Sequence, residues 1–227
     1  GELSPERLVE MAKQNGVSVM AIADHNAVGG VEAAVRAGEH MGIRVITAVE
    51  LDCVAPAAFL HVLGYGIDAA DPVWAQIHAD VSAQERAVST RRVEAVRAQG
   101  VYLDDAALHA ASRLESITPE AIAEVALSDP RNAQNEMLRP YMPGGARSEN
   151  PFVQFYWDYF APGMPLYIDM RFMPLGQAVD TIHRTGGIAV LAHPGQNIGL
   201  DADAFHAIAE EGMDGVEVYS SYHDADT

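Results

Sequence analysis

Apolar positions change their spacing several times along the chain, and each change predicts a change of element. Leu8, Met11 and Ala12 recur with a helical period. Ser4 stands in N-cap position with Pro5 behind it, and Gly16 closes the segment, so the opening stretch predicts a capped amphipathic helix. VSVMAIAD predicts a short buried strand ending at Asp24-His25. GGVEAAVRAGEHMG predicts a second helix closed by Gly42, and IRVITAVELD a second strand with Glu50 near its C-terminal end. AFLHVLGYGID predicts a third strand that carries His61.

Beyond Asp71 the strand signal disappears. DPVWAQIHADVSAQERAVSTRRVEAVRAQG reads as one long helix, followed by shorter helical pieces and then by a Pro-, Gly-, Asn- and aromatic-rich stretch of turns. Residues 72–166 are therefore expected to form a mostly helical insertion, with a first α/β part at 1–71 and a second at 167–227. In that second part PLGQAVDTIHRTGG and DADAFHAIAEEGM predict helices, and IAVLAHP and DGVEVYSSYH predict strands. Strands that alternate with helices of this length imply parallel pairing, in either a doubly wound sheet or a barrel.

Parallel α/β folds collect their strand C-termini on one face, where active sites are built. That expectation brings together Asp24-His25, Glu50, His193-Pro194 and Tyr219–His223, with His61 on a fifth strand. An isolated histidine near a strand end is most often a hydrogen-bonded structural residue, and that reading is kept for His40, His78, His109, His183 and His206 on predicted helices. The same placement repeated at His25, Glu50, His61 and His193 points instead to a metal centre, because imidazoles with an ionised carboxylate suit zinc, manganese or iron. Such an ion acidifies a bound water and shields phosphate charge.

Composition narrows the partners. A net charge of −18, from 32 acidic and 14 basic residues, argues against a surface that grips duplex nucleic acid or anionic lipid, and leaves small substrates open. Lys13 is the only lysine, so the basic residues are almost all arginines, the type suited to bidentate phosphate contacts. Arg147, just after Gly144-Gly145-Ala146, and Arg86, with Arg91 and Arg92 on the long helix, are candidate substrate-binding residues. One cysteine, Cys53, excludes an intramolecular disulfide, and no long apolar span occurs, so a cytoplasmic location is expected.

These segments resemble, in order, motifs of the polymerase and histidinol phosphatase (PHP) family. IADHNAVGG resembles its second motif, AVELD its glutamate motif, FLHVLGYGID the histidine motif after it, LAHPGQN its His-Pro motif and GVEVYSSYH its penultimate strand. The resemblance implies a distorted (β/α)7-type barrel and a metal-dependent phosphoesterase of the small-molecule branch, which acts on nucleotides or nucleoside bisphosphates through metal-activated water. It implies that Glu50 bridges two metals, that His61 and His193 complete one of them, and that His25 binds a third. Asp24 would orient an imidazole or a water, and His223 would lie near the phosphate. Family members also carry an initial His-x-His strand and a final Asp-x-His strand, and neither is found in these 227 residues. The barrel is therefore expected to be incomplete at both ends, part of a longer protein that holds up to three divalent ions, and to bind little metal by itself. Asn26 stands where relatives frequently have an acid, and Met164 where they often have a lysine. A non-catalytic PHP module and a metal-dependent amidohydrolase are the alternative readings.

Overall fold

The computed structural model describes residues 3–56, 58–112, 116–199 and 201–223. It divides into two compact units, one of Gly1–Ala79 with Phe172–Thr227 and one of Asp80–Arg171.

The first unit opens with helix α1 (Pro5–Gln14), whose first turn is capped by the Ser4 hydroxyl accepting from the Arg7 N–H. Strand β1 (Val19–Ile22) follows, then helix α2 (Val31–Met41), which ends at Gly42 in the left-handed conformation, φ 72°. Val9, Ile22, Ala34, Ala37 and Ile43 form a small core here. Strands β2 (Arg44–Ala55) and β3 (Ala58–Tyr65) come next, and helix α3 (Pro72–Arg97) runs from the first unit into the second. The second unit goes on with α4 (Asp105–Ala111), α5 (Pro119–Ser128) and α6 (Pro151–Tyr159) around Val96, Leu108, Ile122, Leu138 and Phe155. Its described residues hold helices and turns. The chain then returns through β4 (Met173–Pro174), α7 (Leu175–Arg184), β5 (Ile188–Leu191), α8 (Pro194–Asn197), α9 (Ala202–Glu210) and β6 (Gly215–Val216).

The six strands form one mixed sheet in the order β1-β2-β3-β5-β6, with β4 on β2. Uniform parallel pairing, expected from the αβ alternation, does not hold. β1/β2, β2/β4 and β5/β6 are parallel, whereas β2/β3 and β3/β5 are antiparallel. The reason is visible in the chain: only two residues separate Ala55 from Ala58, too few for the crossover that parallel strands need, so β2 and β3 form a hairpin. The long strand expected at DGVEVYSSYH is only Gly215–Val216.

One face of this sheet is dry. Val49, Leu51, Cys53, Leu60, Val62 and Leu191 pack against Leu175, Ala178, Val179 and Ile182, the buried stripe of α7. Gly64 lets the helix approach, since a Cβ there would lie 2.9 Å from Ile182 Cγ1. Strand alternation then turns Glu50, Asp52 and His61 to the opposite face. No helix among the described residues is long and apolar enough to cross a membrane.

Candidate metal centre

Backbone pairing fixes where the polar side chains start. Past β1 the chain keeps following β2, so that His25 bridges Glu50 in parallel fashion. Glu50 N–H donates to the Asp24 carbonyl at 3.1 Å, and Asn26 N–H donates to the Glu50 carbonyl at 2.7 Å. Asn26 turns away with φ 52°, a conformation that asparagine tolerates better than most residues. In the hairpin His61 stands directly opposite Asp52, which puts both on the face of Glu50. Beyond β5, Ala192 N–H donates to the His61 carbonyl at 3.0 Å. His193 then adopts φ 27°, a strained backbone for a non-glycine residue before proline, and one usually found at functional sites.

Three imidazoles close on one carboxylate. Glu50 Oε1 lies 3.1 Å from His61 Nδ1 and 3.4 Å from His193 Nε2, and those two nitrogens are 3.0 Å apart. Ligands about 2.0–2.1 Å from a tetrahedral ion are separated by roughly 3.3 Å, so this triad has the size of a metal-ligand set. Glu50 Oε2 lies 3.7 Å from His25 Nε2, on the other side of the carboxylate. His193 is almost fully buried, and its Nδ1–H donates to Asn197 Oδ1 at 2.9 Å, while the Asn197 amide donates to the Phe59 carbonyl. Nε2 of His193 therefore keeps its lone pair and faces the cluster. A further anchor is Glu217, whose carboxylate accepts the His193 N–H at 2.8 Å.

Burial pushes the Glu50 carboxyl up, but the His61 hydrogen bond and the His25 and His61 charges outweigh it and hold Glu50 below its ordinary range. Asp52 behaves alike: burial raises it, and the hydrogen bond and charge of His25, with the Asn26 amide, bring it below the usual value. His25 is raised, mainly by its bond to Asp52 and against the effect of burial. Glu50 and Asp52 are thus held as carboxylates among the imidazoles, a donor set that suits a cation.

Asp52 escaped the sequence reading. Its signal was the alternation of β2, because the residue two positions after Glu50 must share its face. His25 Nδ1 is 2.7 Å from Asp52 Oδ1, a contact with an imidazole of the kind expected, together with a water as the other option, of Asp24. Asp24 is exposed and reaches the centre through its carbonyl. His223 comes to the His193 loop, where its Nδ1–H donates to the Val218 carbonyl and its Nε2 accepts from the Gly195 N–H, at 3.0 and 3.2 Å. Arg86 and Arg147 belong to the second unit, both exposed. Arg147 donates to Gln154 Oε1 and Asp158 Oδ1, each at 3.0 Å, and Asp158 also accepts from the Tyr141 hydroxyl.

Residues 1–79 match the family model described as PHP domain. Over 238 residues the chain is 27% identical to the 3',5'-nucleoside bisphosphate phosphatase of Chromobacterium violaceum, covering 100% of this chain and 75% of that protein. It is 29% identical over 195 residues to a 5'-3' exoribonuclease of Haemophilus influenzae, covering 86% of this chain but 64% of the relative. The fold is shared with a protein of Bifidobacterium adolescentis proposed to be a metal-dependent phosphoesterase, at TM-score 0.74 and 21% identity, over 100% of this chain and 75% of that one. That last likeness speaks to the fold alone.

Proposed function

We propose that the chain, whose residues 1–79 match the PHP domain model, is a phosphoesterase of that family and serves metal-dependent hydrolysis of small phosphorylated compounds, nucleotides or nucleoside bisphosphates among them. The observation that carries this reading is the convergence of His25, His61 and His193 on Glu50. Neutral imidazoles with an ionised carboxylate fit a borderline divalent cation such as zinc, manganese or iron. Glu50 would offer one oxygen to the side of His61 and His193 and the other to the side of His25. A cation held there would supply an acidified water and shield phosphate charge.

The chain's own residues do the rest. His193, locked by Asn197, Glu217 and its strained backbone, presents Nε2 in a fixed direction. His25, on the open side of the cluster with about half of its side chain exposed, is where substrate can approach. A small substrate is favoured by the acidic balance of the sequence, which suits a long polyanion poorly, and by the bisphosphate phosphatase, whose likeness extends over the whole chain. Arg86 and Arg147 are the proposed phosphate contacts, and Asp24 and His223 the proposed auxiliary catalytic groups. A distorted (β/α)7-type barrel is the architecture this reading assigns to the sheet and its helices.

The test is release of inorganic phosphate from a nucleoside 3',5'-bisphosphate by metal-stripped protein, before and after adding Mn2+, Zn2+ or Fe2+. Activity is expected only after one of these ions is restored. Full turnover by stripped protein with a chelator present would reject the proposal.

A further inference from the structure

We propose that Asp52 is a positioning residue that decides which nitrogens His25 and His61 turn towards Glu50. The inference rests on the metal-centre reading and adds to it the part that sets imidazole orientation.

Asp52 is held on several sides. Its Oδ1 is 2.7 Å from His25 Nδ1 and 3.4 Å from His61 Nε2, and its Oδ2 accepts from the Asn26 amide at 2.8 Å. Asn26 Oδ1 in turn accepts the Asp52 N–H at 3.1 Å, so side chain and backbone clamp each other reciprocally. Asn26 is 4% exposed, and its own N–H is spent on the Glu50 carbonyl. An aspartate at position 26 would instead set a second carboxylate against Asp52, which gives the asparagine there a physical reason.

An ionised carboxylate only accepts hydrogen bonds. His25 must therefore carry its proton on Nδ1, which leaves the Nε2 lone pair for the side of Glu50 Oε2. Without a cation His61 Nδ1–H faces Glu50 Oε1 and His193 Nε2; the negative charge of Asp52 near His61 Nε2 would hold the proton there once a cation takes its place at Nδ1. With Asn197 doing the same for His193, the three nitrogens nearest Glu50 are the ones that could serve a cation. Asp52, His25 and His61 also have the composition of a ligand triad. Against direct ligation, both Asp52 oxygens are already bonded, and 2.7 Å is a hydrogen-bond length, shorter than the roughly 3.3 Å between two ligands of one tetrahedral ion.

The experiment has a metal-free and a metal arm. Long-range imidazole 15N NMR of the metal-free protein at pH 8.5 should show His25 as a single Nδ1–H tautomer. Asp52→Ala should give a mixture, and Asp52→Asn, which retains an acceptor, should keep the single form. If the alanine variant fails to fold by circular dichroism, the asparagine variant decides, and a mixed tautomer in it overturns the assignment. Calorimetric titration with Zn2+ should show affinity falling about 10–100-fold in Asp52→Ala with stoichiometry unchanged. An unaltered His25 tautomer in Asp52→Ala, or loss of a whole zinc equivalent in both variants, would overturn the proposal. If the unsubstituted protein takes up no divalent ion, the metal-centre reading fails and the tautomers alone decide the role of Asp52.

Discussion

Glu50 and Asp52 keep ionised carboxylates in a half-buried cluster because imidazoles surround them, and this has a measurable pH signature. Both carboxyls are lowered, so their stabilisation is present above the unfolded values of about 4 and is lost as pH falls through their folded values. His25 is raised, so its share is present below the unfolded value of about 6.5 and is lost as pH rises through its folded value. The melting temperature of metal-free protein should therefore peak between about pH 4 and 6.5 and fall on both sides. The alkaline fall should be shallow, because half of the His25 side chain is exposed. In Asp52→Asn the alkaline fall should flatten, and differential scanning calorimetry that finds it unchanged would contradict the His25–Asp52 coupling. A second residue-scale expectation concerns Arg147: Arg147→Ala should raise KM by more than it lowers kcat, as loss of a ground-state phosphate contact does. Steady-state kinetics with an unchanged KM would leave Arg147 only its ties to Asp158 and Gln154. His25, Glu50, His61 and His193 were legible because each ends or interrupts an apolar run with a ligand-type residue. Asp52 and Asn197 were not, because a residue that orients a ligand carries no motif until its partner's position is known.

At the scale of elements, the alternation of helix and strand was readable from apolar spacing, and α1, α2, α7 and β2 lie close to where that spacing put them. Direction was harder. Periodicity says nothing about whether neighbouring strands run together or opposed, and only the two-residue link between β2 and β3 held that information. The hairpin matters because it sets His61 opposite Asp52 in the middle of the sheet instead of at a strand end. Contact of α7 with the dry face depends on the absence of a side chain at Gly64. Gly64→Val should cost about 1–3 kcal/mol through overpacking. Ile182→Ala in the same chain should recover part of that, since the two positions share one contact. Urea denaturation of the single and double variants checks this, and strictly additive effects would contradict the packing described.

On the scale of the whole molecule, the chain spans about two thirds of the length of the exoribonuclease it matches and three quarters of the bisphosphate phosphatase. Glu50 with His25, His61 and His193 converges into a donor set that could hold a cation, more than the little metal expected from the sequence motifs alone. The acidic balance of the sequence should show in substrate choice: a nucleoside bisphosphate should be hydrolysed with a higher kcat/KM than a long single-stranded RNA, and the reverse order in side-by-side assays would reject the small-molecule reading. More elementary is the proposal that Glu50, with His61 and His193 at one oxygen and His25 at the other, binds divalent cations. Calorimetric titration of metal-free protein with Zn2+ at pH 8, repeated on Glu50→Gln, tests it most directly. Saturable binding that weakens at least about tenfold in the variant, with an unchanged circular dichroism spectrum, is the predicted result; equal binding by both proteins, or none by the unsubstituted one, would contradict it.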